Sequence, residues 1–348
     1  MKKSIHSTAE LARHLGLSRW SVSRAINRKD GVSTATADSV RAAMEEFGFT
    51  PSPHGRALRG HRTGAIGICF RELDTPITIQ KIAHLQRLLS RRGYRPLFEF
   101  TELDQRMGTD VIRHFISMRV EGVLLVDTPP GPETSAWLRM LKKHGIPAAS
   151  VEPVGPITHN GVHLDRVEAM ARVTAHLLAL GHQQFALLGI GRELALGRPR
   201  LDGVMQALAG AGLPESAVDI LCLPTERPAG LRYGRELAEG VLALPRRPSA
   251  LLAINDDVGA GALWRLQRAG LRCPADFSLV GFDNLPLSGQ TTPTLTTVDH
   301  NVEAVAIAAL DMLFRLIELG PNARLPAVKI EPRIILRDST ARCGRQGQ

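Results

Sequence analysis

The chain predicts two fold classes in succession, an all-α head built on a helix-turn-helix and then an α/β body of two lobes with parallel sheets. Three observations carry this reading. Positive charge is concentrated at the front: residues 1–62 hold eleven Lys/Arg against five Asp/Glu, while the remainder holds thirty-two against twenty-nine. Helix start and stop residues punctuate that same stretch. From Ala65 onward, short apolar runs alternate with helical patterns. The expected organisation is a head over 1–50, a linker over 51–62, a body over 63–338 whose lobes split near 155–165 with later crossovers, and a frayed end over 339–348.

Each head element follows from its residues. Ser7-Thr8-Ala9-Glu10 has capping-box spacing, with Leu11, Ala12 and Leu15 behind it and Gly16 as the stop. Ser18 then caps a second helix whose Val22, Ala25 and Ile26 make one apolar stripe, leaving Arg19, Trp20, Ser23, Arg24 and Asn27 off it. A third helix, capped by Ser33, runs through Val40, Ala43, Met44 and Phe47 to Gly48 and gives the pair something to pack on. The stretch Thr50 to Gly60 carries two prolines and two glycines, a linker by composition.

In the body, strands are expected at 65–70, 95–100, 122–126, 147–151, 185–190, 219–223, 250–255 and 277–282. The helices between them fall near 79–92, 108–119, 133–144, 165–181, 198–212, 228–244, 256–269 and 301–320. Strand–helix alternation implies parallel sheets covered by helices. Eight strands exceed one comfortable core, so two lobes form, with a cleft between them as the ligand site.

Composition narrows the function classes. With 348 residues, 44% hydrophobic and 22% charged, the chain reads as globular, and no apolar run reaches the eighteen residues of a membrane span. Cys69, Cys222, Cys273 and Cys343 are scattered without C-x-x-C spacing, which argues against a zinc ribbon or disulfide framework and fits a reducing cytoplasm. The start, MKKSIHSTAELARHLG, lacks the apolar stretch of a secretory signal. Gly189-Ile-Gly191 lacks the third glycine of a dinucleotide fingerprint, with Leu194 in its place. His159 and His163, four apart, sit in a Pro/Gly-rich segment and not on a helix. Neither a metal nor a cofactor is expected, and no nucleophile elbow or phosphate loop points to an enzyme.

The second helix has the chemistry of a major-groove reader. Arg19 and Arg24 can each fork onto a guanine edge, and Trp20 offers apolar contact to a thymine methyl or a single indole N–H. Ser18, Ser21, Ser23 and Asn27 are short groups suited to phosphate oxygens. The competing account is a solvated face of an ordinary helical domain, with Trp20 packed on helix three.

Gly16-Leu17-Ser18, Val22-Ser23-Arg24, Asn27, Val32-Ser33, Thr36 and Gly48-Phe49-Thr50-Pro51 together resemble the head of the LacI/GalR (lactose/galactose/purine repressor) family of bacterial transcription factors. The likeness runs from about Ser4 to Ala341. It places Pro51, Arg56 and Leu58 where that family has a hinge helix whose leucine wedges into the minor groove, with Pro53 and Gly55 departing from the pattern. In the body, Leu180-Gly181-His182, Arg200-Leu201-Asp202-Gly203, Asn255-Asp256, Val280-Gly281-Phe282-Asp283-Asn284 and Leu295-Thr296-Thr297-Val298 are similar to the family's lobe motifs.

What the resemblance implies is a periplasmic-binding-protein-like sensor whose effector cleft is lined by Asp165, Arg200, Asn255 and Asp283. Thr225 stands where several relatives carry an aromatic, and Thr75 and Ile77 line the floor. The other account of these polar groups is strand-end caps and lobe-tying ion pairs. The function implied is a cytoplasmic, ligand-responsive repressor that binds a pseudo-palindromic DNA operator as a homodimer and senses a sugar-like or other polar metabolite. The alternative is a solute-binding protein or small-molecule enzyme using the same body.

Overall fold

The protein is described by a computed structural model over residues 5–26, 30–49, 62–71, 75–101, 105–223 and 230–344. Its backbone separates into two units, Met1–Thr63 and Gly64–Gln348.

Three helices close the first unit: α1 (Thr8–Leu15), α2 (Arg19–Ile26) and α3 (Thr34–Glu46). Ser7 Oγ accepts the Glu10 N–H as the spacing predicts, but Glu10 returns to the backbone N–H of His6 rather than to that of Ser7. Gly16 takes a left-handed φ of 64° and ends α1, the conformation that glycine adopts without a Cβ penalty. Ser18 Oγ accepts the Ser21 N–H at 3.0 Å, and Ser33 Oγ the Thr36 N–H at 3.2 Å. Each satisfies an orphan donor at a helix start. Leu11, Ala12, Val22, Val40, Ala43 and Phe49 bury together as the core; a fully buried Val, Leu or Phe contributes about 1.5–3 kcal/mol.

The second unit begins with β1 (Ala65–Phe70), α4 (Pro76–Arg91), β2 (Arg95–Phe100), α5 (Gln105–Ser117), β3 (Gly122–Val126), α6 (Pro132–Lys143), β4 (Ala148–Val151) and β5 (Gly161–Leu164). It continues as α7 (Arg166–Ala179), β6 (Phe185–Leu188), α8 (Arg198–Gly210), β7 (Val218–Leu221), α9 (Gly230–Ala243), β8 (Ala250–Ala253), α10 (Asp256–Arg268), β9 (Ser278–Asp283) and β10 (Thr296–Asp299). The last elements are α11 (Val302–Leu319), β11 (Val328–Ile330) and β12 (Arg333–Ile335).

Two six-stranded sheets result, ordered β11-β5-β4-β3-β1-β2 in lobe one and β12-β10-β9-β8-β6-β7 in lobe two. Every pairing is parallel except β10 with β12. Strand β3 shows why its run is apolar throughout. Leu124 and Val126 face α4 and α11, whereas Val123 and Leu125 face α5 and α6, so both surfaces of the strand are buried.

The chain passes between lobes at 164–166, at 299–302 and at 330–333, because α11 and β11 pack with lobe one and β12 joins lobe two. Four strands, β5, β10, β11 and β12, lie outside the eight predicted runs. They are three or four residues long, and the sequences VKI, RII and TTVD mix polar with apolar residues, too short for any periodicity to register. Residues 339–343, expected to fray, are docked on lobe two. Ser339 is buried, its Oγ donates to the Leu279 carbonyl at 2.6 Å, and the Cys343 N–H reaches the Leu180 carbonyl at 2.8 Å. Long-range contacts of this kind leave no mark on composition.

Helices α9 and α10 cross through reciprocal glycines. A Cβ on Gly234 would run into the Val258 carbonyl, and one on Gly261 into that of Leu231. The obstacle is backbone, which cannot swing aside. Gly234→Ala is expected to destabilise the protein by about 1–3 kcal/mol, an overpacking cost, read as a lower urea midpoint at unchanged m-value; an unshifted midpoint would show that the helices separate freely.

Candidate functional site

On the head, α2 buries Val22 and turns its first-turn residues outward. Arg19 is exposed, and Trp20 is 60% exposed, so it does not pack on α3. The Arg24 guanidinium lies over the Trp20 ring at 4.8 Å and donates to the Asp30 carbonyl. Ser18, the capping residue, shares a 2.8 Å hydrogen bond with Ser21, and Ser23 sits partly buried on the same helix. Asn27, Arg56 and Leu58 lie outside the described residues.

In the body, parallel strands deliver polar side chains to the carboxyl edge of each sheet, the place where open α/β sheets bind ligands. Glu152 follows β4, Asp165 and Arg166 follow β5, Asn255 follows β8, and Asp283 ends β9. His300, on the second crossing, ties the two edges together: one ring nitrogen is 3.0 Å from Glu152 Oε2 and the other 3.1 Å from Asp283 Oδ1. Glu152 is fully buried, and its other oxygen accepts the Leu164 N–H while Arg166 donates to the one shared with His300. Nearby, Lys81 donates to Asp127 at 2.6 Å, and Thr78 bridges Asp127 and Thr75.

Burial and charge compete at every carboxylate here. Burial alone would raise the Glu152 carboxyl, but Arg166 and then His300 hold it well below the usual range. Asp283 is likewise lowered against burial, by its hydrogen bond to His300, the charge of that ring and Arg200. Asp256 goes the other way. Burial, with Asp283 adding to it, pushes its carboxyl up to about 8 despite hydrogen bonds from Thr297 and Leu285. Arg200 is 5% exposed, and burial followed by the like charge of Arg166 brings it down to about 9.

The residues expected to line the cleft divide by role. Arg200 and Asp283 are buried at the lobe junction, with the Arg200 guanidinium stacked 4.1 Å over Phe282 and bonded to the Leu196 carbonyl at 2.6 Å. Asp165 caps α7 through the Glu168 N–H and pairs with Lys329 at 3.0 Å. Asn255 caps α10 through the Val258 N–H at 2.9 Å. Thr75 and Ile77 are partly buried at the start of α4, and Thr225 lies outside the described residues. Sequence reasoning passed over Glu152, Arg166, His300 and the Lys81–Asp127 pair. Glu152 had a signal, a charged residue directly after an apolar run that ends at a lobe boundary; His300 had none, since it serves residues 148 and 17 positions away.

A cavity of about 420 Å³ lies at the amino edge of the lobe-two sheet, lined by His182, Arg247, Ser249, Arg272 and Arg342. Arg272 is already paired with Asp276, and His182 is hydrogen-bonded through both ring nitrogens. Its size does not outweigh the buried polar convergence at the carboxyl edges.

Comparison with known proteins agrees with this architecture. Residues 8–52 match the family described as Bacterial regulatory proteins, lacI family, and residues 174–340 match the Periplasmic binding protein-like domain. The head is thus that of the lacI family, and over nearly its whole length the chain is similar to HTH-type transcriptional regulators. Its relatives include the HTH-type transcriptional regulator DegA of Bacillus subtilis, 27% identical over 98% of this chain and 99% of DegA. The regulator GntR of Pseudomonas aeruginosa is 28% identical over 95% of this chain and 94% of its own length. Among solved structures, the lac repressor dimer bound to operator and the anti-inducer ONPF superposes with a TM-score of 0.86 at 23% identity, covering 97% of this chain and all of that one. At that identity the superposition speaks for the fold. With a lacI-family head and a periplasmic-binding-like body, the chain is a DNA-binding transcriptional regulator with an effector-binding body, and the solute-binding and enzyme alternatives fall away.

The buried carboxyl of Asp256 gives the body a measurable pH signature. It binds its proton more tightly folded than unfolded, so the stability that proton confers is complete below about pH 4 and is lost at about 1.4 kcal/mol per unit up to its raised value. Glu152 and Asp283, lowered on folding, lose their contribution only on acidification. Whatever fixed cost Asp256→Asn carries, its Tm relative to the parent should rise steadily from pH 5 to 8.5; parallel curves over that range would contradict the assignment.

Proposed function

We propose that this chain represses transcription as a homodimer on a pseudo-palindromic operator and is controlled by a small polar effector held between the lobes of its body. The observation that carries this is the outward face of α2. Arg19, Trp20 and Arg24 project from a helix anchored by Val22, on a unit that closes its own core. A self-sufficient head can enter a major groove as a rigid piece while the body changes shape behind it.

Domain roles follow as 1–50 for groove reading, 51–62 for a hinge in which Leu58 wedges and Arg56 meets phosphate, and 63–338 for sensing and pairing. Arg19, Trp20 and Arg24 read base edges, and Ser18, Ser23 and Asn27 hold phosphates. In the body, Arg200 and Asp283 face the effector directly. Asp165 and Asn255 support it by fixing the starts of α7 and α10, and Thr75, Ile77 and Thr225 complete the wall. A sugar-like or other polar metabolite suits such a cleft, because each buried donor or acceptor demands a partner. Work on operator DNA places the protein in the cytoplasm.

Arg24 starts tethered to the Asp30 carbonyl and the Trp20 ring, so DNA must offer it better acceptors, which a guanine edge does. Sites selected from random DNA by the full-length protein should be inverted repeats occupied by two protomers. Arg24→Ala should cost about 1–3 kcal/mol on that site and far less on random competitor. A protein that fails to discriminate its selected site from random DNA at moderate salt, or an Arg24→Ala variant with unchanged preference, would refute the reading.

A further inference from the structure

We infer that the effector carries a compact oxyanion, a carboxylate or a phosphate, gripped jointly by Arg166 and Arg200; this rests on the regulator reading above and narrows the chemistry of its ligand. At the lobe junction nearly every acceptor is already taken. Glu152 accepts from Leu164, Arg166 and His300, and Asp165 accepts from Glu168 and Lys329. Asn255 Oδ1 accepts from Val258, Asp256 accepts from Thr297 and Leu285, and one oxygen of Asp283 faces His300.

Donors are left over instead. The Nε–H groups of Arg166 and Arg200 are both buried without a hydrogen-bond partner, on residues 8% and 5% exposed. Orphan N–H groups on buried cations are costly, and a ligand that accepts from both removes the cost. Position points the same way. Arg166 opens α7 and Arg200 lies in the first turn of α8, so each stands at a helix start where backbone N–H dipoles favour negative charge. Burial first, and then the like charge of Arg166, lower Arg200, and an anion beside both guanidiniums offsets each of these costs. A neutral polyol is poorly served, because its hydroxyls need acceptors as well as donors. Beyond the second oxygen of Asp283, it obtains them only by breaking contacts already made, such as those of Glu152.

Calorimetric titration of the full-length protein at fixed ionic strength tests this, with gluconate, glucose 6-phosphate and ribose 5-phosphate as anionic probes and glucose and ribose as neutral counterparts. At least one anion should bind about tenfold or more tighter than its neutral counterpart, and Arg166→Gln and Arg200→Lys should each weaken it by about tenfold, since charge-assisted and planar N–H contacts are lost. The carboxylate and phosphate arms tell which oxyanion is sensed. Glu152→Gln should act in the opposite direction and tighten the anion severalfold, because it removes a competing negative charge. General damage to the fold would loosen binding in all three variants.

A neutral sugar binding as tightly as its anion, no binding of any of the three anions, or loosening by Glu152→Gln comparable to that by Arg166→Gln would overturn the inference. Operator discrimination scored on the same preparations separates the two readings. Intact discrimination with neutral ligands only removes the oxyanion and keeps the regulator, whereas lost discrimination strikes the regulator itself.

Discussion

Glu152 is the constraint on which the arrangement of the body depends. Its carboxylate is buried at the end of β4 and receives donors from β5, from the start of α7 and from the second crossing. A carboxylate taken out of water costs several kcal/mol, an expense met only when its partners stand in good geometry. Leu164, Arg166 and His300 must therefore converge on one point, and they do so where the chain leaves lobe one and where it later returns.

Desolvation also bears on the effector site proposed at this junction. An apolar junction of similar volume would hold the lobes as firmly, but it would offer a polar metabolite nothing to distinguish. With most carboxylate oxygens matched internally, the unsatisfied capacity of the proposed cleft lies mainly in a few donors. The identity of a bound molecule then depends on how well it meets them. His300 adds a link between sensing and shape, since any ligand that competes for Asp283 or Glu152 acts on both lobes at once.

The head follows a different logic. Its core is small, its helices are held by serine caps and a left-handed glycine, and the residues proposed to read DNA lie on the surface of α2. All of that is local in sequence, so it was legible there: Ser7, Gly16, Ser18 and Ser33 each perform in the structure the capping or turning role that their spacing announces. One detail escaped. Glu10 closes its cap on His6 rather than Ser7, and Arg24 folds back toward Asp30, because both side chains are long enough to choose among several nearby carbonyls and N–H groups.

By itself the sequence determined the helical head, the alternating strands and helices of the body, the division into two lobes and the motif residues Arg200 and Asp283, since each depends on periodicity, capping or turn chemistry within a short window. Only the tertiary structure decided which polar residues partner which. Asp165 and Asn255 are helix caps as well as cleft-edge residues, Glu152 and Arg166 form a buried pair, and His300 reaches across 148 positions to Glu152. The short strands β5, β10, β11 and β12 and the docked segment 339–343 were likewise set by long-range backbone pairing. A hydrogen bond between residues far apart in the chain depends on where the folded backbone brings them, and no local pattern of side chains records that.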